Sequence, residues 1–156
     1  MSAFIATNAP SAADSFPITN DGWFPDLDAA HLRAALRLDG SVTDARLEVA
    51  TVNALIEVNR ELSLYRRARE EEGHASLADV PASKLQGESY LVHLYRRAIA
   101  CSAGAELAER MRDYSATGDG AERAEALTPT ADECRRDARW AIRNILGIAH
   151  TTVELI

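Results

Sequence analysis

The stretch Thr130-Ala-Asp-Glu-Cys-Arg-Arg-Asp-Ala-Arg-Trp-Ala-Ile-Arg-Asn-Ile-Leu-Gly147 carries the clearest helix signals in the chain. Thr130 and Glu133, three residues apart, form a capping box, which predicts that a helix begins here. Gly147 predicts its end. The apolar residues between these signals recur at helical spacing and predict one buried face, made of Cys134, Ala138, Ala141, Ile142 and Ile145.

The residues after Gly147 have a different character. They are rich in β-branched and aliphatic side chains, which are typical of strands. The burial of so few apolar side chains does not clearly offset the entropy lost when the segment is ordered. We therefore predict that residues 148–156 form an extended tail that pairs with a sheet edge or a neighbouring subunit. A frayed apolar end is the alternative. The tail residues expected at the contact are Thr151, Thr152, Val153, Leu155 and Ile156.

The amino-terminal residues 1–22 are rich in Ala, Ser, Thr, Asn and Pro and show no periodicity. We expect a mobile arm, which either anchors on a partner or is simply disordered. Trp23 and Phe24 follow and are expected to pack against the first turn of a helix that ends near Leu38.

Residues 23–147 are predicted to be one all-α domain, a small bundle of four to five helices. Apolar residues at spacings of three and four predict that its longest helix runs from about Thr43 to Glu71. A third helix is expected to begin between Ser83 and Glu88 and to end near Ser115. Gly104 is the one glycine placed inside a helix, which points to close approach of a neighbouring element from the same chain or another subunit.

The composition restricts the classes of function. The chain has 156 residues and a net charge of −7, which argues against general nucleic-acid binding. No signal peptide or membrane-spanning run is recognisable, so we expect folding in a cytoplasm. The two cysteines are expected to be small buried hydrophobes. The best local basic spots are two pairs, Arg66–Arg67 and Arg96–Arg97. We interpret them first as solvated helix faces or salt bridges, and contact with a phosphate or an acidic partner is the alternative.

The sequence contains no motif for catalysis, metal binding or cofactor binding. The four histidines lack metal-ligand spacing, and neither Cys-x-x-Cys nor a phosphate-binding glycine signature occurs. We therefore expect no enzyme activity, no cofactor and no metal.

Several blocks of the chain, taken in order, resemble one family. They include Phe24-Pro25-Asp26, Arg37-Leu38-Asp39-Gly40, Gly87-Glu88-Ser89, Leu94-Tyr95-Arg96-Arg97-Ala98 and Arg135 to Ile148 with Thr152 to Ile156. These blocks are similar to the GPL family, the head completion proteins of peduovirus-type phages with contractile tails. Residues 1–22 match nothing in it.

The resemblance implies a structural virion protein at the head–tail junction, assembled in the host cytoplasm. It would bind the portal protein after packaging, stabilise the filled head and form the platform for the tail-side completion protein. It also implies a dodecameric ring of copies, with packaged DNA only nearby. The expected contact residues are Trp23, Phe24, the two arginine pairs and the tail. A small cytoplasmic helical regulatory or interaction protein is the alternative.

Overall fold

The computed structural model describes residues 15–115 and 130–149. These residues contain the helices α1 (Ala29–Ala35), α2 (Asp44–Glu61), α3 (Ser63–Glu71), α4 (Tyr90–Ser115) and α5 (Ala131–Ile145). They also contain the two-residue strands β1 (Pro17–Ile18), β2 (Leu27–Asp28), β3 (Lys84–Leu85) and β4 (Glu88–Ser89), and a single 3-10 turn at Leu77–Asp79.

The two small sheets correct the prediction of an all-α domain. In the first, β1 runs antiparallel to β2, with Pro17 opposite Asp28. In the second, β3 and β4 form a hairpin across Gln86 and Gly87, which both have positive φ angles of 52° and 81°. Two positive φ angles in a two-residue loop suit the right-handed twist of a hairpin. The fold is mostly helical with two short antiparallel ladders.

Helix α4 lies at the centre of the domain, with α2 and α5 on opposite sides of it. Asn53 of α2 donates to both carboxylate oxygens of Glu106 at 3.1 Å, and Arg97 of α4 pairs with Asp137 of α5 at 3.1 Å. A helix turns by about 100° per residue. Tyr95, the other α4 residue bonded to α2, is therefore about 200° away from Arg97.

The predicted helix 43–71 is divided in two at Leu62. The backbone of Leu62 has φ −87° and ψ 3°, which is outside regular helix geometry. Leu62 is completely buried, so the apolar repeat continues through the break and periodicity cannot reveal it. The longest described helix is instead α4, with 26 residues.

Gly104 permits a close approach within the chain. A Cβ atom added at this buried glycine would lie 2.8 Å from Cδ2 of Leu36 and 3.7 Å from Sγ of Cys134. Leu36 follows α1 and Cys134 belongs to α5, so two elements converge on α4 here. Among the described residues, the neighbour that Gly104 accommodates therefore belongs to the same chain.

Helix α5 confirms the prediction from the capping box and its apolar face. Thr130 Oγ1 accepts from the Glu133 N–H, and the Glu133 carboxylate accepts from the Thr130 N–H. All five predicted face residues are buried. Gly147 has φ 68°, the left-handed conformation expected after a helix end.

Residues 15–22 of the predicted arm pack against the helices. Ile18 is buried in β1, and Asn20 donates to Tyr95 Oη at 2.8 Å. Residues 1–14, the rest of that arm, lie outside the described residues, as do residues 150–156 of the predicted tail.

Candidate interaction surfaces

Trp23 and Phe24 lie in the core and offer no surface to a partner. Their exposed fractions are 4% and 2%. The Trp23 indole N–H donates to the carbonyl of His74 at 3.1 Å, and the Phe24 ring stacks on Tyr95 with 4.7 Å between centroids. This corrects the expectation that both residues contact another subunit; they hold the amino-terminal segment against α4 and the loop after α3.

A polar network beside these rings binds the same segment. Tyr95 Oη accepts from Asn20 and donates to Asn59 Oδ1 at 2.5 Å. Asn59 in turn donates to Asn20 Oδ1 at 2.9 Å. The three side chains join the amino-terminal segment, α2 and α4, and burial raises the pKa of Tyr95 well above its usual range. The network is closed on itself and suits a structural role.

Arg66 connects the amino-terminal segment to α3. It pairs with Asp21 at 2.6 Å and with Glu70 at 2.8 Å, and its guanidinium lies 5.8 Å from the centroid of the Trp23 ring. The hydrogen bond to Glu70, together with Asp21, raises the pKa of Arg66. Its positive charge is therefore paired with carboxylates of the same domain.

The other three predicted arginines also have carboxylate partners in the chain. Arg67 pairs with Glu71 at 3.2 Å, Arg96 with Glu88, and Arg97 with Asp137 at 3.1 Å. All three remain exposed, so these pairs contribute little stability and can be exchanged for an external carboxylate. Of the predicted contact residues within the described chain, these are the ones a partner can reach.

Two further exposed surfaces were not predicted from the sequence. Val49, Val52 and Ile56 follow each other at about one per turn on the outer side of α2, with exposed fractions of 52%, 40% and 60%. We call these three residues the α2 ridge. Their spacing at three and four residues was visible in the sequence, but the inner apolar face of the same helix obscured it.

The second surface lies on the outer side of α5. Trp140 is 44% exposed there, and the Arg136 guanidinium lies 5.0 Å from the centroid of its ring. Arg139 is exposed beside it. We call Arg136, Arg139 and Trp140 the α5 face. Tryptophan and arginine are the residue types most enriched at the energetic centres of protein interfaces.

A groove of about 340 Å³ adjoins the α2 ridge between α2 and α4. It shares Val49 with the ridge, so the apolar surface becomes concave at this end. Its lining residues are Val42, Ala45, Arg46, Val49, Ala50, Glu106, Leu107 and Arg110.

A comparison with known protein families decides the class of this chain. The model of the phage head completion protein (GPL) family matches residues 18–156. The chain belongs to this family. The match confirms the resemblance noted in the sequence and corrects its start, because residues 18–22 also match the family.

A curated relative agrees with the family match. The chain is 40% identical over 145 residues to the head completion/stabilization protein of Escherichia phage P2, which covers 93% of this chain and 86% of the relative. No solved structure matches the chain. A role in phage head completion follows from the family, and it implies association with components of the head.

The described part of this head completion protein offers few groups for chemistry. Within residues 15–115 and 130–149, no cluster of three or more His, Cys, Asp or Glu side chains is arranged to hold a metal ion. Cys101 and Cys134 are free thiols whose pKa values are raised mainly by burial. The helices described contain no apolar segment of membrane-spanning length.

Proposed function

We propose that this head completion protein binds the portal vertex once the DNA is packaged, stabilises the filled head and forms the platform on which the tail is mounted. The observation that carries the proposal is the family match over residues 18–156, together with the 40% identity to the head completion/stabilization protein of phage P2.

The chain acts through contacts between subunits rather than by catalysis. Copies form a ring on the portal protein, and the opposite side of the ring receives the tail-side completion protein. The outward-pointing apolar and Arg/Trp surfaces on two sides of one small domain support this proposal. The net charge of −7 suits a subunit that lies beside packaged DNA without gripping it. The ring is proposed to have twelve copies, as the resemblance implies.

Residues 148–156 are proposed to be the conditional part of the assembly. The described portion of this tail begins with Ile148, which is 47% exposed, and Ala149, whose carbonyl accepts from Arg143 at 2.7 Å. The apolar tail then gains its pairing partner only when the portal or another copy is present. Ordering on assembly makes the contact reversible before the head is filled.

Particle fractionation tests the proposed function against a cytoplasmic regulator. Phage particles are purified through a density gradient, and the chain is sought with an antibody. We expect it to co-sediment with filled, tailed heads and to be absent from free tails. A chain that remains in the soluble lysate would support the regulator instead.

Deletion of residues 151–156 tests the role of the tail. We expect the purified deletion variant to keep the helical circular dichroism of the full chain and a similar unfolding transition, because α5 ends at Ile145. Filled heads should nevertheless lose DNA and fail to join tails. A variant in which Thr151 and Thr152 are replaced by valine keeps the apolar, strand-forming character and serves as the control. Normal yields of infectious particles from the deletion would contradict the proposal for the tail.

A further inference from the structure

The groove between α2 and α4 has an apolar floor and a basic rim. Val42, Ala50 and Leu107 form the floor, and each is no more than 4% exposed. Val49 stands at the rim and is 52% exposed. Arg46 is exposed beside it and forms no ion pair with any residue in the described part of the chain. The guanidinium of Arg46 is therefore available to an occupant of the groove.

Arg110 adds a second guanidinium on the α4 side of the groove. It pairs with Glu106 at 2.7 Å, and 68% of its side chain is exposed. Asn53 donates to both carboxylate oxygens of Glu106, so this carboxylate keeps a partner if Arg110 turns to another group. The lining holds two arginines and one glutamate, and its formal charge is positive. It suits an occupant that carries a carboxylate among apolar side chains.

The carboxyl-terminal tail has this chemistry. Val153, Glu154 and Leu155 are consecutive, and residues 150–156 contain no lysine or arginine. Side chains of an extended segment alternate between two faces, so Val153 and Leu155 share one face and Glu154 lies on the other. The apolar face can then cover the floor of the groove while the carboxylate stays at its rim.

The other two segments outside the described residues lack this combination. Residues 1–14 contain one acidic residue, Asp14, which follows the apolar Ile5 by nine positions. Residues 116–129 contain acidic residues but a single large aliphatic side chain, that of Leu127. The tail is therefore the segment of this chain that best matches the groove.

The start of the tail and the groove lie towards opposite ends of α4. Cys134, near the beginning of α5, lies beside Gly104 of α4. Asp137, further along α5, pairs with Arg97, which is seven residues earlier in α4. The two helices are therefore antiparallel. The groove is lined by the carboxyl half of α4, around Leu107, whereas α5 ends towards the amino end of α4.

The tail of the same copy is too short to lie in the groove. The Ile148 N–H bonds to the Arg143 carbonyl at 2.9 Å, which fixes the start of the tail at that level. Arg143 is nine residues along α5 from the level of Gly104, and Leu107 is three residues along α4 in the opposite direction, so the gap is about 18 Å. Five extended residues, from Ile148 to Val153, span at most about 18 Å. The path must also pass around α4, which is about 10 Å wide.

We propose that the groove between α2 and α4 binds residues 151–156 of a second copy in an extended conformation. Val153 and Leu155 pack on the floor of the groove, and Glu154 pairs with Arg46. The inference rests on the proposed function, in which copies lie side by side and the tail becomes ordered on assembly; it names the surface that receives the tail. Each copy then donates one segment and receives another, which is a heterologous contact that can close into a ring.

Photocrosslinking in assembled particles tests the location of the tail. The photoreactive amino acid p-benzoyl-phenylalanine replaces Val49, and gradient-purified particles are irradiated. We expect a product of twice the chain mass, with the cross-link mapped by mass spectrometry to residues 151–156 of the second copy. The same probe at Ile56 is the control, because this residue is 60% exposed on α2 but does not line the groove. It should give no cross-link to the tail. If the probe at Val49 keeps the chain out of particles, it is moved to Arg110.

Charge reversal tests the ion pair. Arg46→Glu and Glu154→Arg should each lower the yield of infectious particles by about tenfold, because like charges then meet at the contact. The double variant restores opposite charges and should return the yield to within about threefold of the unmodified chain. Circular dichroism and thermal unfolding of the purified chains check that both single variants fold. A loss that persists in the double variant would contradict the pairing.

The outcomes separate the contact from the proposed function. Cross-links from Val49 to a segment of the same copy would overturn the inference, because the groove would then be filled from within the chain. Cross-links only to the portal protein or the tail-side completion protein would overturn it as well, and the proposed function would stand in both cases. Absence of the unmodified chain from particles would refute the proposed function and the inference with it.

Discussion

Replacing Tyr95 by phenylalanine should destabilise the domain even though the ring is retained. Tyr95 is completely buried, and its hydroxyl makes two hydrogen bonds, to Asn20 and Asn59. Phenylalanine keeps the stacking on Phe24, whose centroid is 4.7 Å away, so the change isolates the polar contribution. At about 0.5–1.5 kcal/mol for each net hydrogen bond, the free energy of unfolding should fall by about 1–3 kcal/mol.

Urea unfolding followed by far-ultraviolet circular dichroism measures this loss. The slope should stay constant, and with a slope near 2 kcal/mol per molar the midpoint should fall by about 0.5–1.5 M. The experiment is run at low protein concentration so that self-association contributes nothing to stability.

Tyr90 offers a matched control on the same helix. It is half-buried, and its hydroxyl forms no hydrogen bond with the residues that the structure describes. Tyr90→Phe should therefore change the free energy of unfolding by less than about 0.5 kcal/mol. Equal losses in both variants would refute the reasoning, because the effect would then come from a general property of buried tyrosines and not from the network.

The pH dependence gives Tyr95 a second readout. Burial raises the pKa of Tyr95 in the folded chain above the ordinary value of 10.0. The unfolded chain therefore ionises first, so the stability from the buried neutral hydroxyl is fully present below about pH 10 and is lost as the pH rises beyond it. Tyr95→Phe should lack this part of the alkaline decline. An identical decline in both proteins would show that Tyr95 is not its source.

Four further predictions concern local contacts. Gly104→Ala should destabilise the domain less in a chain that also carries Leu36→Ala, because the new Cβ lies 2.8 Å from Leu36 Cδ2. Overpacking costs about 1–3 kcal/mol, against a gain of about 1 kcal/mol in helix propensity. Additive losses of stability in a double-mutant cycle would contradict this. Thr130→Ala should lower stability by about 1 kcal/mol in thermal unfolding while Thr130→Ser restores it, and an unchanged midpoint in Thr130→Ala would count against the cap. Hydrogen bonds from Thr130 hold the pKa of Glu133 below its ordinary 4.5, so this stability is present above pH 4.5 and is lost as the pH falls through the lower folded value; Glu133→Gln should flatten that part of the acid curve, and an unaltered slope would argue otherwise. Cys134 should react slowly with a thiol reagent at pH 7, since it is buried and its pKa is raised, and rapid labelling of the folded chain would be inconsistent with this.

Short sequence signals correctly predicted the features that depend only on residues close together in the chain. The capping box at Thr130 and the glycine at position 147 define α5 because both act within one turn of the helix they limit. The closely approached Gly104 was likewise predicted. The family could also be identified, because it depends on blocks of residues in order rather than on their positions in space.

Interaction surfaces could not be predicted in the same way. Trp23 and Phe24 have the composition of an interface, yet they are buried because the segment before them folds back against β2 and α4. Arg66 and Arg97 were candidates for an external partner, but their carboxylates lie 45 and 40 residues away in sequence. Only the folded chain shows which charges are already paired.

The sequence by itself determined the helical class, the cap and end of the last helix, and membership of the head completion family. The tertiary structure alone decided that the helix 43–71 divides at Leu62 and that α2 and α5 pack on opposite sides of α4. It also decided which apolar side chains remain exposed to solvent. The physical reason is range: caps, turns and periodicity act over a few residues, whereas burial and ion pairing depend on segments that meet only when the chain has folded.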